Sequence, residues 1–283
     1  MRARALVLFS GVCFATTGTA QGLGPDSASS LGIAAMRLIV GAIALALFSW
    51  AMAGNADELP RRHLPQVLWW IAGAAMALYG ATFFAAVRST GVAIGTVVAL
   101  GSAPIITGVL AYMFSRVTPT RKWILSTAGG IVGITLIVLT GSSSKVNTFG
   151  IVLALLAGLG YAIFALASKY IMSSGIRAEL AMARVFLIGA FLMSPVLLFT
   201  DNSWLFSRGG VTVVLWLGVV TVAIGYVAYS TGLRSLQASE ATTLTLIEPV
   251  VATLLGALVL TERPSQLAWG GVMLVLLSLS FRS

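Results

Sequence analysis

Apolar runs of about twenty residues alternate with short polar breaks along the whole chain. They predict ten helices, at 5–22, 31–53, 64–88, 92–115, 123–141, 149–172, 179–200, 211–233, 239–260 and 266–281. Each run is close to the length that crosses a hydrocarbon core of about 30 Å. The breaks are rich in Gly, Pro, Ser and charged residues: "GLGPDSASS", "GNADELPRRH", "SRVTPTRK", "GSSSKVN", "SSGIRAE", "TDNSWLFSRGG" and "TERPSQ". The joins at 88–92 and 233–239 are very tight. No break can hold a soluble domain, so any chemistry takes place within the membrane.

The pattern repeats when the chain is slid against itself by 145–147 residues. "AAMRLIVGA" (34–42) meets "AMARVFLIG" (181–189), which sets Arg37 on Arg184. "AAVRSTGVAIGTVVALGSAPIITGVLAYMF" (85–114) meets "STGLRSLQASEATTLTLIEPVVATLLGALVL" (230–260). Arg88 then falls on Arg234, Pro104 on Pro249 and Pro119 on Pro264. Five helices per half is an odd number, so the second half enters the membrane from the other side. The expected fold is an all-α integral membrane protein of ten transmembrane helices in two inverted five-helix repeats, 1–141 and 142–283. Inverted repeats are a common plan for secondary transporters, with the substrate site at the repeat interface.

Composition agrees. Of 283 residues 58% are hydrophobic and 9% charged, against roughly 25% charged in a soluble domain. The net charge of +9 is spread over short loops, which reads as topology rather than a nucleic-acid patch. With the N-terminus inside, the inner side holds Arg2, Arg4, Arg61, Arg62, Arg116, Arg121, Lys122, Lys169, Arg177, Arg234 and Arg282. The outer side holds Arg88, Lys145, Arg208 and Arg263. That imbalance places both termini in the cytoplasm of a bacterial-type inner membrane. "MRAR" followed by "ALVLFSGVCFATTGTA" has the form of a signal peptide, but its counterpart in the second half favours a retained helix. The single Cys13 excludes an internal disulfide framework, and the single His63 has no metal-ligand or triad partners beside it. No cofactor or metal is expected.

"TLTLIEPVVATLLGALVLTERPSQLAWGGVMLVL" resembles the second-half signature of the drug/metabolite transporter superfamily, in its EamA-type ten-helix branch. "FSGVCFATTGTAQG" and "MRLIVGAIAL" are similar to the exporters of aromatic and other amino acids within that branch. The resemblance implies the ten-helix fold, export and a small-molecule substrate. One departure is visible. Ser115-Arg116 stand where the family often has a Glu ending helix four, while the second half keeps Glu262. A symmetric pair of terminal carboxylates is therefore absent.

Pro104 and Pro249 each remove an N–H and free a carbonyl four residues back, at Leu100 and Thr245. They are expected to bend helices four and nine, as hinges or as packing kinks. Glu248 precedes Pro249 inside an apolar run, and its repeat mate is Ala103. A charge at the bilayer centre costs about 2.5–3.5 kcal/mol on insertion scales. Glu248 is read as a proton-coupling site, a contact for a substrate amino group, or a carboxyl bonded to a neighbouring helix. Arg37 and Arg184 are placed near opposite faces, as gating residues or snorkelling anchors, with Arg37 able to attract a substrate carboxylate. Aromatic residues cluster on the helices expected to be inner ones. Phe14 and Thr17 come from helix one and Tyr79, Phe83 and Phe84 from helix three. Tyr161 and Phe164 come from helix six, and Tyr226 and Tyr229 from helix eight. Such residues suit a cavity that accepts an apolar side chain and releases it, or they simply pack. Trp69, Trp70, Trp123, Trp204 and Trp269 read as interface anchors. Helices five and ten, with Gly129-x-x-x-Gly133, read as outer supports that offer a weak homodimer face.

The expected function is secondary export of small amphipathic metabolites, above all hydrophobic and aromatic amino acids, by alternating access. The second reading is an exporter of drugs or nucleotide-linked metabolites, which would want several cavity cations. An intramembrane enzyme is the third, since Glu240 and Glu248 lie eight apart. It lacks a positioned partner group.

Overall fold

The ten apolar runs are helices in the computed structural model, which describes residues 1–25, 27–52, 64–139, 147–261 and 263–280. Arg61, Arg62, His63, Lys145, Glu262 and Arg282 lie outside these residues. The helices are α1 (Arg2–Gly22), α2 (Ser30–Met52), α3 (Gln66–Thr90), α4 (Ile94–Ser115) and α5 (Arg121–Leu139) in the first half. They are α6 (Thr148–Ser173), α7 (Ala178–Leu198), α8 (Arg208–Leu233), α9 (Ala238–Val259) and α10 (Gln266–Ser280) in the second.

Helical backbone runs without a break from Gln66 to Ser115, yet the chain reverses between α3 and α4. A Cβ on Gly95 would lie 3.1 Å from the backbone nitrogen of Val87. In a straight helix eight residues rise about 12 Å. The tight join read from sequence is thus a hairpin, with α6 packed against both of its arms.

The packing obeys the repeat. α1 packs on α8 and α9, and its mate α6 packs on α3 and α4. α2 pairs with α7, and α5 with α10. Each relation maps onto itself when helices one to five are exchanged for six to ten. The halves are therefore interlocked, because the first helix of each repeat belongs spatially to the other. Fine detail follows the same rule. The non-glycine residues in left-handed backbone are Arg116 (φ 53°) and Thr261 (φ 56°) among the described residues. They are 145 apart and stand just beyond α4 and α9. Gly73 on α3 and Gly218 on α8 are also 145 apart. A Cβ on Gly73 would come 2.5 Å from Ile188 of α7, and one on Gly218 2.5 Å from Val40 of α2.

Two departures from symmetry matter. α9 is interrupted: helix runs over Ala238–Leu244, turns at Thr245-Leu246 and resumes over Ile247–Val259. α4 keeps its helix through Pro104. α8 carries a π-helical stretch, Leu217–Ile224, which α3 lacks. Discontinuous helices and π segments both concentrate at functional sites.

The tryptophans correct one expectation. Trp70 and Trp269 are exposed on the apolar surface, as interface anchors would be, but Trp69, Trp123 and Trp204 are buried. Trp123 lies inside because its indole Nε1 donates to the Ser239 carbonyl at 3.0 Å, tying α5 to α9. Trp204 closes a small core with Ile33, Val213, Val214 and Leu217.

α5 and α10 meet through small residues. A Cβ on Gly133 would fall 2.6 Å from Val275 Cγ2 and 2.8 Å from the Gly271 carbonyl, whereas Gly270 faces open space. Gly133→Leu is expected to cost about 1–3 kcal/mol by overpacking. Its thermal midpoint in detergent should drop while that of Gly270→Leu stays at the parent value. Equal midpoints would mean that this contact carries no stability.

Candidate functional site

Where α1, α3, α6, α7 and α8 converge, aromatic rings form one continuous cluster. Phe14 lies 4.7 Å from Tyr226, centroid to centroid, and Tyr226 lies 4.6 Å from Phe186. Phe164 contacts Tyr226 at 5.6 Å and Tyr229 at 6.3 Å. Tyr161 bridges to Tyr229 at 6.1 Å and to Tyr79 at 5.3 Å, and Tyr79 continues to Phe83 at 5.7 Å. Aromatic pairs in such offset and edge geometries contribute about 0.5–1.5 kcal/mol beyond their burial. Phe14, Tyr79, Phe83, Tyr161, Phe164, Tyr226 and Tyr229 are thus brought together. Thr17 stands one turn above Phe14, half-buried and outside the ring contacts.

Glu248 and Arg37 close on this cluster from α9 and α2. Arg37 reaches it through Phe84, whose ring meets Phe83 at 5.6 Å, and the Glu248 backbone nitrogen would lie 3.8 Å from a Cβ placed on Gly11 of α1. Arg37 is buried and holds its guanidinium carbon 5.8 Å from the Phe84 ring centroid, a cation–π arrangement. Glu248 is half-buried in the first turn of the resumed half of α9. A carboxylate there meets the positive end of the helix dipole. The chain break creates this position, since the turn at Thr245-Leu246 starts a new helix beneath Glu248.

Local chemistry explains the break. Pro249 has no N–H for the Thr245 carbonyl, which instead accepts from Glu248 N at 2.9 Å. The freed carbonyl is therefore satisfied by a neighbouring N–H rather than by a ligand. Thr242 and Thr243 hydroxyls both donate to the Ser239 carbonyl, and Thr245 to that of Thr242. Such back-bonding bends helices.

Symmetry does not extend to the arginines. Arg184, the mate of Arg37, is exposed and sits 5.3 Å from the Trp69 ring. It is placed as a surface anchor, away from the cluster. Pro104 is buried in an unbroken α4 and Pro249 in the broken α9. Glu240 is paired with Arg4 at 3.0 Å, at the start of α9 and a helix break away from Glu248. The two carboxylates do not share a site, which removes the ground for an enzymatic dyad. Sequence reading passed over Phe186 and Met76, whose sulfur accepts from the Tyr226 hydroxyl at 4.0 Å. Phe186 has Ile39 at the matching place in the first half, so the repeat gave no signal for it.

Comparison with known proteins places this arrangement. The model of the EamA-like transporter family matches residues 1–139 and 148–282. A relative from Bacillus subtilis (strain 168), named uncharacterized transporter YwfM, is 36% identical over 273 residues, covering 96% of this chain and 90% of that one. An uncharacterized transporter of Archaeoglobus fulgidus is 31% identical over 177 residues, covering 62% of this chain and 61% of its own. A solved structure titled "Crystal structure of protein" superposes with a TM-score of 0.85 at 15% identity, covering 99% of this chain and 96% of the other. That last likeness speaks for the fold alone. Interlocked repeats, a broken helix beside a central charge and the family match together lead to one statement: the chain belongs to the EamA-like transporter family of the drug/metabolite transporter superfamily.

Proposed function

We propose that this transporter exports small amphipathic zwitterions, chiefly hydrophobic and aromatic amino acids, by alternating access. The observation that supports this reading is that Arg37, stacked on Phe84, and Glu248, whose backbone lies against Gly11 one turn before Phe14, border one aromatic cluster. A free amino acid offers a carboxylate for Arg37, an ammonium for Glu248 and an apolar side chain for the rings. Two opposite charges also offset each other when the site is empty, which suits burial in a membrane.

The reading for nucleotide-linked metabolites draws less support. Phosphates want clustered cations, and Arg37 is the buried arginine among the described residues. Export, rather than uptake, rests on the likeness of "FSGVCFATTGTAQG" and "MRLIVGAIAL" to amino acid exporters. An inner-membrane setting with cytoplasmic termini rests on the basic residues of the short loops. The sequence halves 1–141 and 142–283 are proposed as the two repeat units, and the outer faces of α5 and α10 as a weak dimer contact. Energy comes from gradients of substrate or protons.

Counterflow in proteoliposomes tests the proposal. Vesicles loaded with unlabelled tryptophan, tyrosine, phenylalanine or leucine are expected to accumulate the labelled counterpart. Vesicles loaded with a nucleotide sugar or a cationic dye are not. Exchange of the nucleotide sugar without exchange of any amino acid would overturn it.

A further inference from the structure

The face at which α1 begins also receives the ends of α6 and α8 and the start of α9. A Cβ on Gly232 would touch Ala3 and Val7, and Arg4 pairs with Glu240. At this face the seam between α6 and α8 is shut. Lys169 Nζ donates to the Leu233 carbonyl at 2.9 Å and to the Arg234 carbonyl at 2.7 Å. A cation on the last carbonyls of a helix is favourable through the dipole and the unpaired acceptors. Behind it Phe164 and Ser168 of α6 and Tyr229 and Leu233 of α8 are fully buried.

The repeat relates this seam to α1–α3 at the other face. Phe164, Ala165, Ser168 and Lys169 map at an offset of 147 onto Thr17, Gly18, Gln21 and Gly22. Leu233 and Arg234 map at 146 onto Val87 and Arg88. These mates are less enclosed. Thr17, Gln21 and Val87 are only half-buried, and a Cβ on Gly18 would meet no atom within 4 Å. Its mate Ala165 is 0% exposed. Two copies of one seam therefore coexist in one molecule, one bridged and buried, the other unbridged among the described residues and less enclosed.

The shut copy also holds polar groups in a poor place. The Ser168 Oγ is buried with no hydrogen-bond partner, and the buried Tyr161 and Tyr229 hydroxyls have only one another. Buried polar atoms without partners are uncommon and destabilising. They follow the seam from the aromatic cluster toward Lys169, and opening it would give them water.

We propose that Lys169 latches the α6–α8 seam as the gate at the N-terminal face, and that transport exchanges it for its mate, closing Gly22 of α1 onto Arg88 of α3. In the exchanged state the Tyr161, Tyr229 and Ser168 hydroxyls line a wet path from the cluster to the N-terminal face. The device is independent of which small solute crosses.

Full-length protein in native membrane vesicles tests this, in a Cys13→Ala background. One reporter is Ser168→Cys, labelled by an impermeant maleimide supplied at the N-terminal face. The other is the pair Gly22→Cys and Arg88→Cys, treated with a short bismaleimide. Adding Lys169→Met is expected to raise the labelling rate at least tenfold and to raise cross-linking of the pair in parallel. Lys169→Arg, which can still cap the carbonyls, should leave both near baseline. Unchanged labelling and cross-linking would overturn the latch. Faster labelling without more cross-linking at the far face would reduce the effect to local fraying and overturn the exchange. Lys169→Gln, run beside the Met variant, gives the same readouts where the latter does not insert.

Discussion

Arg37→Met is expected to lower counterflow of aromatic amino acids by about a hundredfold or more, while Arg184→Met leaves it within about twofold. The two arginines occupy equivalent places in the repeats, so sequence symmetry alone predicts equal effects. Their surroundings differ. Arg37 is buried against Phe84, at the edge of the aromatic cluster. Arg184 is exposed beside Trp69. Removing the buried partner of a bound substrate carboxylate costs about 2–5 kcal/mol, which corresponds to roughly one and a half to three and a half decades in affinity. Exposure makes the arginine beside Trp69 worth far less. A substrate series separates carboxylate recognition from simple damage. Tryptamine lacks the carboxylate that Arg37 would hold, so its counterflow, if any, should fall much less in Arg37→Met than that of tryptophan. Equal losses for both, or equal losses in the two arginine variants, would remove the zwitterion site.

The repeat made much of this fold readable. Helix count, the tight α3–α4 and α8–α9 joins and the inward aromatic sets follow from hydrophobic runs and self-alignment. Apolar burial acts through pattern, which a sequence carries openly. The self-alignment could also have paired Gly73 with Gly218, since both stand at the same offset as the prolines. The left-handed Arg116 and Thr261 were less visible, because neither is Gly or Asn, the usual occupants. What stayed hidden is where identical or similar residues of the two halves meet different surroundings. Arg37 and Arg184 look alike in sequence, and only their neighbours on α3 and α9 separate them. Trp123 and Trp204 sit near helix ends, where a tryptophan normally meets the membrane interface. Their burial depends on partners more than a hundred residues away for Trp123, whose indole bonds Ser239. Asymmetry of state leaves no sequence trace at all. Ser168 and Gln21 are repeat mates, and which seam is shut depends on the conformation adopted.

Pro249→Ala is expected to raise thermal stability and cut transport at least tenfold, with Pro104→Ala changing transport little. Both prolines lie inside apolar runs, and in a helix interior proline costs about 3 kcal/mol relative to alanine. On helix propensity alone the two substitutions should be equivalent. They are not equivalent in what the backbone does around them. α4 continues through Pro104, so alanine there restores one hydrogen bond to Leu100 in a helix that is already formed. At Pro249 the chain has left the helix at Thr245-Leu246, and the Thr245 carbonyl is occupied by Glu248 N. An alanine N–H at 249 would compete for that carbonyl, drawing the turn toward regular helix. One residue of register is about 100° of rotation in an α-helix. Glu248, immediately beside the break, would then rotate with the backbone and lose its place in the first turn of a half-helix. The gain in backbone order and the loss of function have the same origin, as with other strained functional sites. Thermal melts in detergent and counterflow on the same preparations check both signs. Full transport by a stabilised Pro249→Ala protein would show that the break is packing alone. A transport loss shared equally by Pro104→Ala would assign the effect to helix bending in general, and Glu248 would no longer need the interrupted helix to do its work.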